Sequence, residues 1–302
     1  MADKTDKELD KLIEEGLNKE KAELDLREQE LGDADLKKIV ALEKIKGVTT
    51  LFLEFNEIGD DGIKALLDSE HMKYLTVLNL FKNQVSDAGL EAMAKSKTLL
   101  NLSELILSDN DIGPKGAVAL AESKILGGLV SLWIGDKLGD EGARAIAQSK
   151  TLKKLNLLSL YRNDISNDGA LAIAESKNLA SLTELNLNWN FIEAEGIEAI
   201  AASDTLKNLA QLTLTYNPIG DRGARALAHS KVLKNLTLLD LFEAEIGDEG
   251  ARALAESKTL ANLETLVLIR NDVGEDVQEL FKNSTTLKKL SKVVFRQQSA
   301  AI

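Results

Sequence analysis

The sequence of 302 residues contains no cysteine, only two prolines and only two histidines. Without cysteine it can form neither a disulfide nor a thiolate metal site, and we expect no metal and no cofactor. Basic residues are too few to balance the acidic ones, so the formal net charge is −12. Because phosphate binding needs clustered Lys and Arg, this balance argues against nucleic acid as a partner.

Long apolar runs are also missing from the sequence. No stretch approaches the roughly 18 apolar residues that span a bilayer, so we expect no membrane association. The chain begins Met-Ala-Asp-Lys-Thr-Asp-Lys, which is charged and lacks the apolar run of a secretory signal. We therefore expect a cytoplasmic monomer without a classical signal peptide.

One sequence motif of 27 residues recurs along most of the chain. It reads Leu-x-x-Leu-x-Leu-x-x-Asn-x-Ile-Gly-Asp-x-Gly-Ala-x-Ala-Leu-Ala-x-Ser-Lys-x-Leu-x-x. Clear copies place their asparagine at Asn56, Asn83, Asn110, Asn163, Asn190, Asn217 and Asn271, and weaker copies have Gln29, Asp136, Ala244 and Gln298 there. Nine of the ten spacings are 27 residues and one is 26. A fixed period of this length predicts a solenoid, in which each repeat buries its apolar face against its neighbours.

Each copy predicts a short strand followed by a helix. Before Asn110, Leu105 and Leu107 alternate with outward positions, which is the period of a half-buried strand. An aspartate that recurs at the helix start is predicted to be the N-cap of its own helix, as at Asp87 and Asp221. A glycine such as Gly116 recurs early in the helix, where it costs about 1 kcal/mol relative to Ala. Its recurrence indicates tight packing or special backbone geometry.

Two recurring polar residues are interpreted as structural. The Asn side chain both donates and accepts, so it can satisfy backbone groups that the turn would otherwise bury unpaired. A serine ends the helix in nine copies, among them Ser123 and Ser203, and we interpret it as a ligand of the backbone. The alternative, a row of modification sites, explains the periodicity less well.

The pattern resembles the leucine-rich repeat family, in particular the ribonuclease-inhibitor-like subclass with a full helix in each repeat. The segments Leu-Thr-Glu-Leu-Asn-Leu-Asn-Trp-Asn (182–190) and Ile-Gly-Asp-Glu-Gly-Ala-Arg-Ala-Leu-Ala-Glu-Ser (246–257) carry the resemblance. It implies an α/β solenoid shaped as a horseshoe, with a parallel β-sheet on the concave face and α-helices on the convex face. The uniform period and the lack of cysteine also resemble leucine-rich effectors that bacterial pathogens deliver into host cells.

The ends of the chain interrupt the repeat pattern. Thr5 and Glu8 form a predicted capping box, followed by apolar residues at helical spacing, so residues 1–20 are expected to form an N-terminal capping helix. Its alternative role is that of a coiled-coil partner helix. We expect the repeat array over residues 21–298 and a short tail over 299–302.

The expected binding site is the concave face of the sheet. In each repeat the residues six, four, two and one positions before the Asn should point outwards, and these positions hold most of the few aromatics. The candidate protein-binding residues are Phe52, Phe55, Phe81, Trp133, Tyr161, Arg162, Trp189, Tyr216, Phe242 and Arg270. Contiguous exposed apolar surface marks interaction sites, and Trp, Tyr and Arg dominate binding hot spots. The alternative is that aromatics simply favour strands.

These features predict a module that binds a partner protein on its concave face, either an inhibitor or an effector acting on a host protein in the host cytosol. No catalytic motif is present in the sequence, and we expect no enzymatic activity. A regulator that stimulates hydrolysis by a small GTPase is the alternative function, and a purely structural scaffold is the third. Two copies break the pattern: the Asp136 copy is one residue short, and Ala244 offers no side-chain hydrogen bond, which can leave a buried group unpaired. Either repeat drift or function explains them.

Overall fold

The computed structural model describes residues 3–295, which fall into two compact units. The first unit runs to Leu138 and also takes Ser149–Leu155, whereas the second takes Gly139–Gln148 and the residues from Asn156 onwards. Both units are built from the same alternation of a three-residue strand and a helix of 8 to 10 residues.

The first unit begins with a helix and a short antiparallel strand pair, after which the repeats follow. Its elements are α1 (Asp6–Gly16), β1 (Leu17–Asn18), β2 (Glu23–Asp25), α2 (Asp33–Val40), β3 (Thr50–Phe52), α3 (Asp60–Asp68), β4 (Val77–Asn79), α4 (Asp87–Lys95), β5 (Glu104–Ile106), α5 (Pro114–Glu122) and β6 (Ser131–Trp133). Short 3-10 helices occupy Glu43–Ile45, Glu70–Tyr74 and Leu126–Gly128.

The second unit begins with a helix and ends with a strand. Its elements are α6 (Gly139–Gln148), β7 (Leu157–Ser159), α7 (Asn167–Ala174), β8 (Glu184–Asn186), α8 (Ala194–Ala202), β9 (Gln211–Thr213), α9 (Gly220–His229), β10 (Leu238–Asp240), α10 (Asp248–Ala255), β11 (Thr265–Val267), α11 (Glu275–Lys282) and β12 (Lys292–Val294). The weak copy at Gln298 and the predicted tail lie outside the described residues.

Neighbouring strands pair in parallel with a register of one repeat. Leu51 lies opposite Leu78 in the first unit, and Leu185 lies opposite Leu212 in the second. In each strand from β2 to β11 the central residue is buried. The residues on either side of it are more exposed, except in β7, where the last residue is buried as well. Each strand therefore turns one face to the helices and leaves the other uncovered. We name this uncovered side the open face of the sheet.

The core of each repeat lies between its strand and its helix. Leu105 and Leu107 from the strand side and Ala117 and Leu120 from α5 are all fully buried. Small alanines let the helix approach the sheet closely, so the interior is filled without aromatic side chains. The predicted α/β leucine-rich-repeat solenoid, with strands on one side and helices on the other, is confirmed.

The asparagine of each copy satisfies the backbone of two repeats, as predicted. The Asn110 Nδ2 donates to the carbonyl oxygens of Leu80 and Leu107, at 2.8 and 3.0 Å. Its Oδ1 accepts from the Val85 N–H at 2.9 Å. Because these groups are buried, each such asparagine removes the cost of leaving them unpaired, about 1–3 kcal/mol for a group.

The recurrent aspartate does not cap its own helix, so that prediction was wrong. Asp87 is the first residue of α4, whose N-cap is Ser86. The Asp87 Oδ1 instead accepts from the N–H groups of Gly113 and Gly116, at 2.7 and 2.8 Å, and so caps α5 in the next repeat. Gly113, the N-cap of α5, has no side chain to do this. The carboxylate reaches across because adjacent repeats lie so close together.

The close approach of this carboxylate explains the recurrent glycine. A Cβ added to Gly116 would lie 2.6 Å from the Asp87 Oδ1, well inside van der Waals contact. The glycine therefore makes room for the cap supplied by the preceding repeat. Tight packing, one of the two expected reasons, applies here.

The serine at the helix end is a ligand of the backbone, as predicted. The Ser123 Oγ donates to the Ala94 carbonyl oxygen at 2.7 Å and accepts from the Leu126 N–H at 3.1 Å. Ser203 makes the equivalent bonds in the second unit. The hydroxyl is buried and occupied, which supports the structural interpretation over modification.

The first helix begins as predicted. The Thr5 N–H donates to the Glu8 carboxylate at 2.8 Å, and the Glu8 N–H donates to the Thr5 Oγ1 at 3.4 Å. The helix ends at Gly16, and β1 then pairs antiparallel with β2. The division of the chain into a cap, an array and a tail stays a prediction.

Candidate functional site

The open face of the sheet carries the candidate binding residues, and none of the ten is buried. Phe55 and Trp189 are 43% and 46% exposed, and Arg162 and Arg270 are also exposed. The remaining six are half-buried: Phe52, Phe81, Trp133, Tyr161, Tyr216 and Phe242. The rings therefore lie at the surface rather than in the leucine core.

The residue before each asparagine has an unusual backbone. Phe55, Trp189 and Tyr216 have φ values of 56°, 57° and 56°, in the left-handed region. An L-residue with a Cβ pays about 1–2 kcal/mol there, and glycine is the usual choice. The turn requires this conformation in most repeats, since Arg162 and Arg270 share it. Large rings at these positions are thus not explained by β-propensity.

In the second unit, four candidate side chains form one continuous group, which we call the Trp189 cluster: Trp189, Tyr216, Phe242 and Arg270. The rings of Trp189 and Tyr216 are 3.9 Å apart between centroids, and those of Tyr216 and Phe242 are 5.3 Å apart. The Arg270 guanidinium lies 5.5 Å from the centre of the Phe242 ring. The cluster therefore links three successive repeats through rings and a fourth through a cation.

Arg270 is held in place by a carboxylate. Its Nη1 donates to the Glu243 Oε2 at 3.0 Å and to the Tyr216 Oη at 3.4 Å. The hydrogen bond with Glu243 raises the pKa of the guanidinium, which is thus charged at any physiological pH. The cluster offers a partner an apolar platform that ends in an arginine held by its ion pair with Glu243.

The first unit holds a smaller aromatic group. Phe55 and Phe81 meet edge to face with centroids 5.3 Å apart, and the Lys82 Nζ lies 5.0 Å above the Phe55 ring. The Arg27 guanidinium lies 5.4 Å from the centre of the Phe52 ring. Sequence reasoning missed Arg27 and Lys82. Their positions, two and one before the Asn of their copies, were the available signal.

Trp133 and Tyr161 stand apart from these groups. Among residues 3–295, neither ring stacks on another aromatic ring. Tyr161 lies beneath Arg162, whose guanidinium is 5.9 Å from the ring centre. The sequence thus placed all ten residues outside the core, but the structure joins only some of them.

Two acidic side chains on the open face are unusual for their burial. Glu54 is only 8% exposed, and burial raises the pKa of its carboxyl. Burial also raises the pKa of Asp240, whose Oδ1 accepts from the Phe242 N–H at 3.0 Å. Sequence reasoning singled out neither residue, because burial of a carboxylate on a strand depends on the size of its neighbours.

At the irregular copy Ala244, the preceding turn replaces the missing side-chain acceptor with backbone acceptors. In a regular repeat the N–H two residues after the Asn donates to the next asparagine side chain, as Ile58 does to Asn83 at 3.0 Å. Ile219 instead donates to the Asn217 carbonyl oxygen at 2.8 Å, and Gly220 donates to the Ala244 carbonyl oxygen at 3.1 Å. Gly220 has a φ of 60°, which permits this path.

The irregular region near Asp136 uses a similar turn. Gly139 has a φ of 57°, and its N–H donates to the Asn163 carbonyl oxygen at 2.8 Å. A left-handed glycine therefore accompanies the shortened copy, as it accompanies the loss of the amide at Ala244. The two irregular regions thus share the same kind of glycine turn.

Residues 3–295 contain no group of three or more His, Cys, Asp or Glu side chains placed to hold a metal ion. His71 lies 3.7 Å from the Glu43 carboxylate, and His229 contacts the Arg225 carbonyl oxygen. Within the same residues, none of the helices has the length and apolar character to cross a membrane.

Comparison with known proteins agrees with this geometry. The family model described as Leucine Rich repeat matches residues 48–67, 71–94, 98–121, 178–201, 205–228 and 232–255. These six segments are therefore leucine-rich repeats, and this supports a role of the chain as a protein–protein interaction module. The more specific ribonuclease-inhibitor-like subclass stays a prediction. No curated protein sequence matches the chain significantly.

Two solved structures match this chain at low identity. An internalin of Listeria monocytogenes is 20% identical, with a TM-score of 0.49, over 98% of this chain and 90% of the internalin chain. A leucine-rich repeat protein of Leptospira interrogans is also 20% identical with a TM-score of 0.49, over 86% of this chain. This chain spans 63% of the length of the Leptospira protein. Neither likeness bears on what this chain binds.

Proposed function

We propose that the chain binds a partner protein through the open face of its sheet, with the Trp189 cluster as the principal contact. The observation that supports the proposal is the arrangement of three rings and one arginine in mutual contact, with Trp189 and Arg270 exposed at the surface. Stacked rings lose little side-chain entropy when a partner binds, because they already restrict each other. Trp, Tyr and Arg are also the residues most often found at hot spots.

The backbone at Trp189 and Tyr216 adds a second argument. The left-handed turn at both positions would be more stable with glycine, yet it carries the two largest aromatic side chains of the cluster. Residues held in such strained conformations are concentrated at functional sites. The repeat fold imposes this conformation at the same position of most copies, so recognition would explain the choice of large rings there rather than the conformation itself.

The partner is expected to present an apolar patch beside an acidic group. The rings supply the apolar platform, and the partner's carboxylate would share Arg270 with Glu243. A host protein as partner, with this chain acting as a delivered effector, is the finer form of the proposal. Only the style of the repeats supports that finer form.

Alanine substitution at Trp189 tests the surface. After affinity capture and mass spectrometry identify a partner, calorimetry should show that Trp189→Ala weakens binding by about 2 kcal/mol or more. The same loss is expected for Trp133→Ala if the first unit takes part. Circular dichroism should show an unchanged fold, because both rings lie outside the leucine core.

Tyr74→Ala is the matched control. Tyr74 is 47% exposed, which is close to Trp189, but it lies in a 3-10 helix rather than on the open face. Its removal should leave the affinity unchanged. Equal affinity of the wild type, Trp133→Ala and Trp189→Ala would contradict the proposal.

A further inference from the structure

One edge of the first unit is basic although the chain as a whole is acidic. Three consecutive segments between a helix and the next strand, residues 96–103, 123–130 and 149–155, contain five lysines and neither aspartate nor glutamate. The formal net charge of the whole chain is −12. We call these three segments the lysine edge. Its lysines are all exposed: Lys97, Lys124, Lys150, Lys153 and Lys154.

The three segments of the lysine edge lie side by side. The Val130 N–H donates to the Ser103 carbonyl oxygen at 2.8 Å, which joins the second segment to the first. A Cβ added to Gly127 would lie 3.3 Å from the Thr151 carbonyl oxygen, so the second segment also lies against the third. The lysines therefore belong to one continuous surface.

Two large apolar side chains are exposed among these lysines. Leu100 is 60% exposed and Val130 is 40% exposed. Val130 occupies the position at which Thr76 and Ser103 carry hydroxyls, and these donate to carbonyl oxygens of the preceding repeat at 3.1 and 3.0 Å. Valine cannot form that bond and exposes apolar surface instead. Packing of the core therefore does not explain these two side chains.

Helix stability explains only part of the charge on the lysine edge. Lys97, Lys124 and Lys150 directly follow the end of a helix, where a positive charge is favourable. Lys153 and Lys154 lie further along the segment, beyond the reach of this effect. Among the described residues, four of the five lysines form no ion pair: Lys97, Lys124, Lys150 and Lys154. Their charge is thus available to an anionic partner.

We infer that the lysine edge binds an anionic membrane surface, with its lysines at the lipid phosphates and with Leu100 and Val130 inserted at the boundary of the acyl chains. Lysines interleaved with exposed apolar side chains are typical of proteins that bind at this interface, which requires no spanning helix. The lysine edge contains no Trp, Tyr or Arg, the residues that dominate hot spots for proteins. The inference does not rest on the proposed function, because the open face takes no part in it.

Co-sedimentation of the full chain with lipid vesicles tests the inference. The probes are vesicles of phosphatidylcholine with about 30% phosphatidylserine and vesicles of phosphatidylcholine alone. At about 0.1 M salt the chain should bind the anionic vesicles saturably and should not bind the neutral ones. At about 1 M salt the binding should be lost, because the screening length falls from about 10 Å to about 3 Å.

Removal of two lysines should weaken this binding. The double variant Lys124→Gln/Lys150→Gln is expected to bind the anionic vesicles about tenfold less tightly or weaker still. Lys19→Gln/Lys115→Gln is the matched control, since it removes two exposed lysines of the same unit from outside the lysine edge. Lys115 lies at the start of α5, at the opposite end of that helix from Lys124. The control should change the affinity by less than about twofold.

A fluorescent label tests the insertion of the apolar side chains. The chain has no cysteine, so a nitrobenzoxadiazole dye can be attached to a single introduced one. On anionic vesicles the dye at Leu100→Cys should become brighter and shift to shorter wavelength as it enters an apolar environment. The dye at Leu171→Cys is the matched control, because Leu171 is 43% exposed but lies in α7, and it should not respond.

Three results would overturn the inference: no binding to the anionic vesicles, equal weakening by the two double variants, or equal responses of the two dyes. Binding of a polyglutamate peptide or a DNA duplex without binding of vesicles would also overturn it, since the lysine edge would then recognise an acidic macromolecule. Trp189→Ala should leave vesicle binding unchanged even though it weakens binding of the partner protein. Failure of the inference is therefore distinguishable from failure of the proposed function.

Discussion

Replacement of Trp189 by glycine and by alanine tests whether the fold or recognition explains the ring at that position. Trp189 has a φ of 57°, so any residue with a Cβ pays about 1–2 kcal/mol for the conformation. Both variants lose the ring contact with Tyr216, worth about 0.5–1.5 kcal/mol, together with the partly buried ring surface. These losses cancel in the comparison of the two variants. Glycine should therefore be more stable than alanine by about 1 kcal/mol.

Phe242 supplies the matched comparison. It belongs to the same cluster, but its φ is not positive, so glycine has no conformational advantage there. In such a position glycine is less stable than alanine by about 0.5–1 kcal/mol. Urea unfolding of all four variants should show opposite orders at 189 and 242. If glycine is the less stable residue at both positions, the argument from backbone strain is refuted.

Three further predictions concern the fold. Asp87→Ala should cost about 1–3 kcal/mol of unfolding free energy, since it removes the cap on α5. Gly116→Ala should cost less unfolding free energy in the Asp87→Ala variant than in the wild type, because the carboxylate that the new Cβ would meet is then absent. If urea unfolding of the double variant shows the simple sum of the two losses, the close approach of the carboxylate is contradicted. Burial raises the pKa of Asp240, so the folded state binds the proton more tightly, and stability falls as the pH rises from the ordinary aspartate pKa through the raised one. Asp240→Asn should therefore be more stable than the wild type at pH 7 and should lose that advantage near pH 4. An equal advantage at both pH values would contradict a raised pKa of Asp240 in the folded state. Ser203→Ala should cost about 1–3 kcal/mol, measured by thermal unfolding, because the Ala174 carbonyl oxygen loses its buried donor. An unchanged melting temperature would contradict this structural role.

The architecture could be predicted from the sequence because the repeat imposes it. Leu105, Leu107 and Leu120 recur every 27 residues, so a solution for one repeat holds for its neighbours. The same regularity revealed the roles of Asn110 and Ser123, whose side chains bond to the backbone in the way that their periodicity indicated. Local chemistry and position in the repeat were sufficient for these features.

Contacts between repeats could not be predicted in the same way. The carboxylate of Asp87 caps the helix of the next repeat because of the spacing between helices, which the sequence does not contain. The turn at Ala244 could not be predicted either, because the hydrogen bond to its carbonyl oxygen comes from Gly220 in the preceding repeat.

The candidate site was predictable as a list of positions but not as a set of contacts. Counting back from each Asn placed Trp189, Tyr216 and Phe242 on the open face, and the structure leaves all three outside the core. Their mutual stacking depends on side-chain conformation and on the left-handed turn. The burial of Glu54 has no signal in a repeat pattern that treats its position as outward.

Site-specific photo-crosslinking tests the central claim most directly. A photoreactive phenylalanine derivative is placed at position 189 on the open face, at position 74 in a 3-10 helix, or at position 222 in helix α9, and each chain is irradiated with the identified partner. The account predicts crosslinks to the partner from position 189 and none from the other two. Crosslinks from position 222 in α9 without any from position 189 would show that the partner binds the helices instead of the sheet.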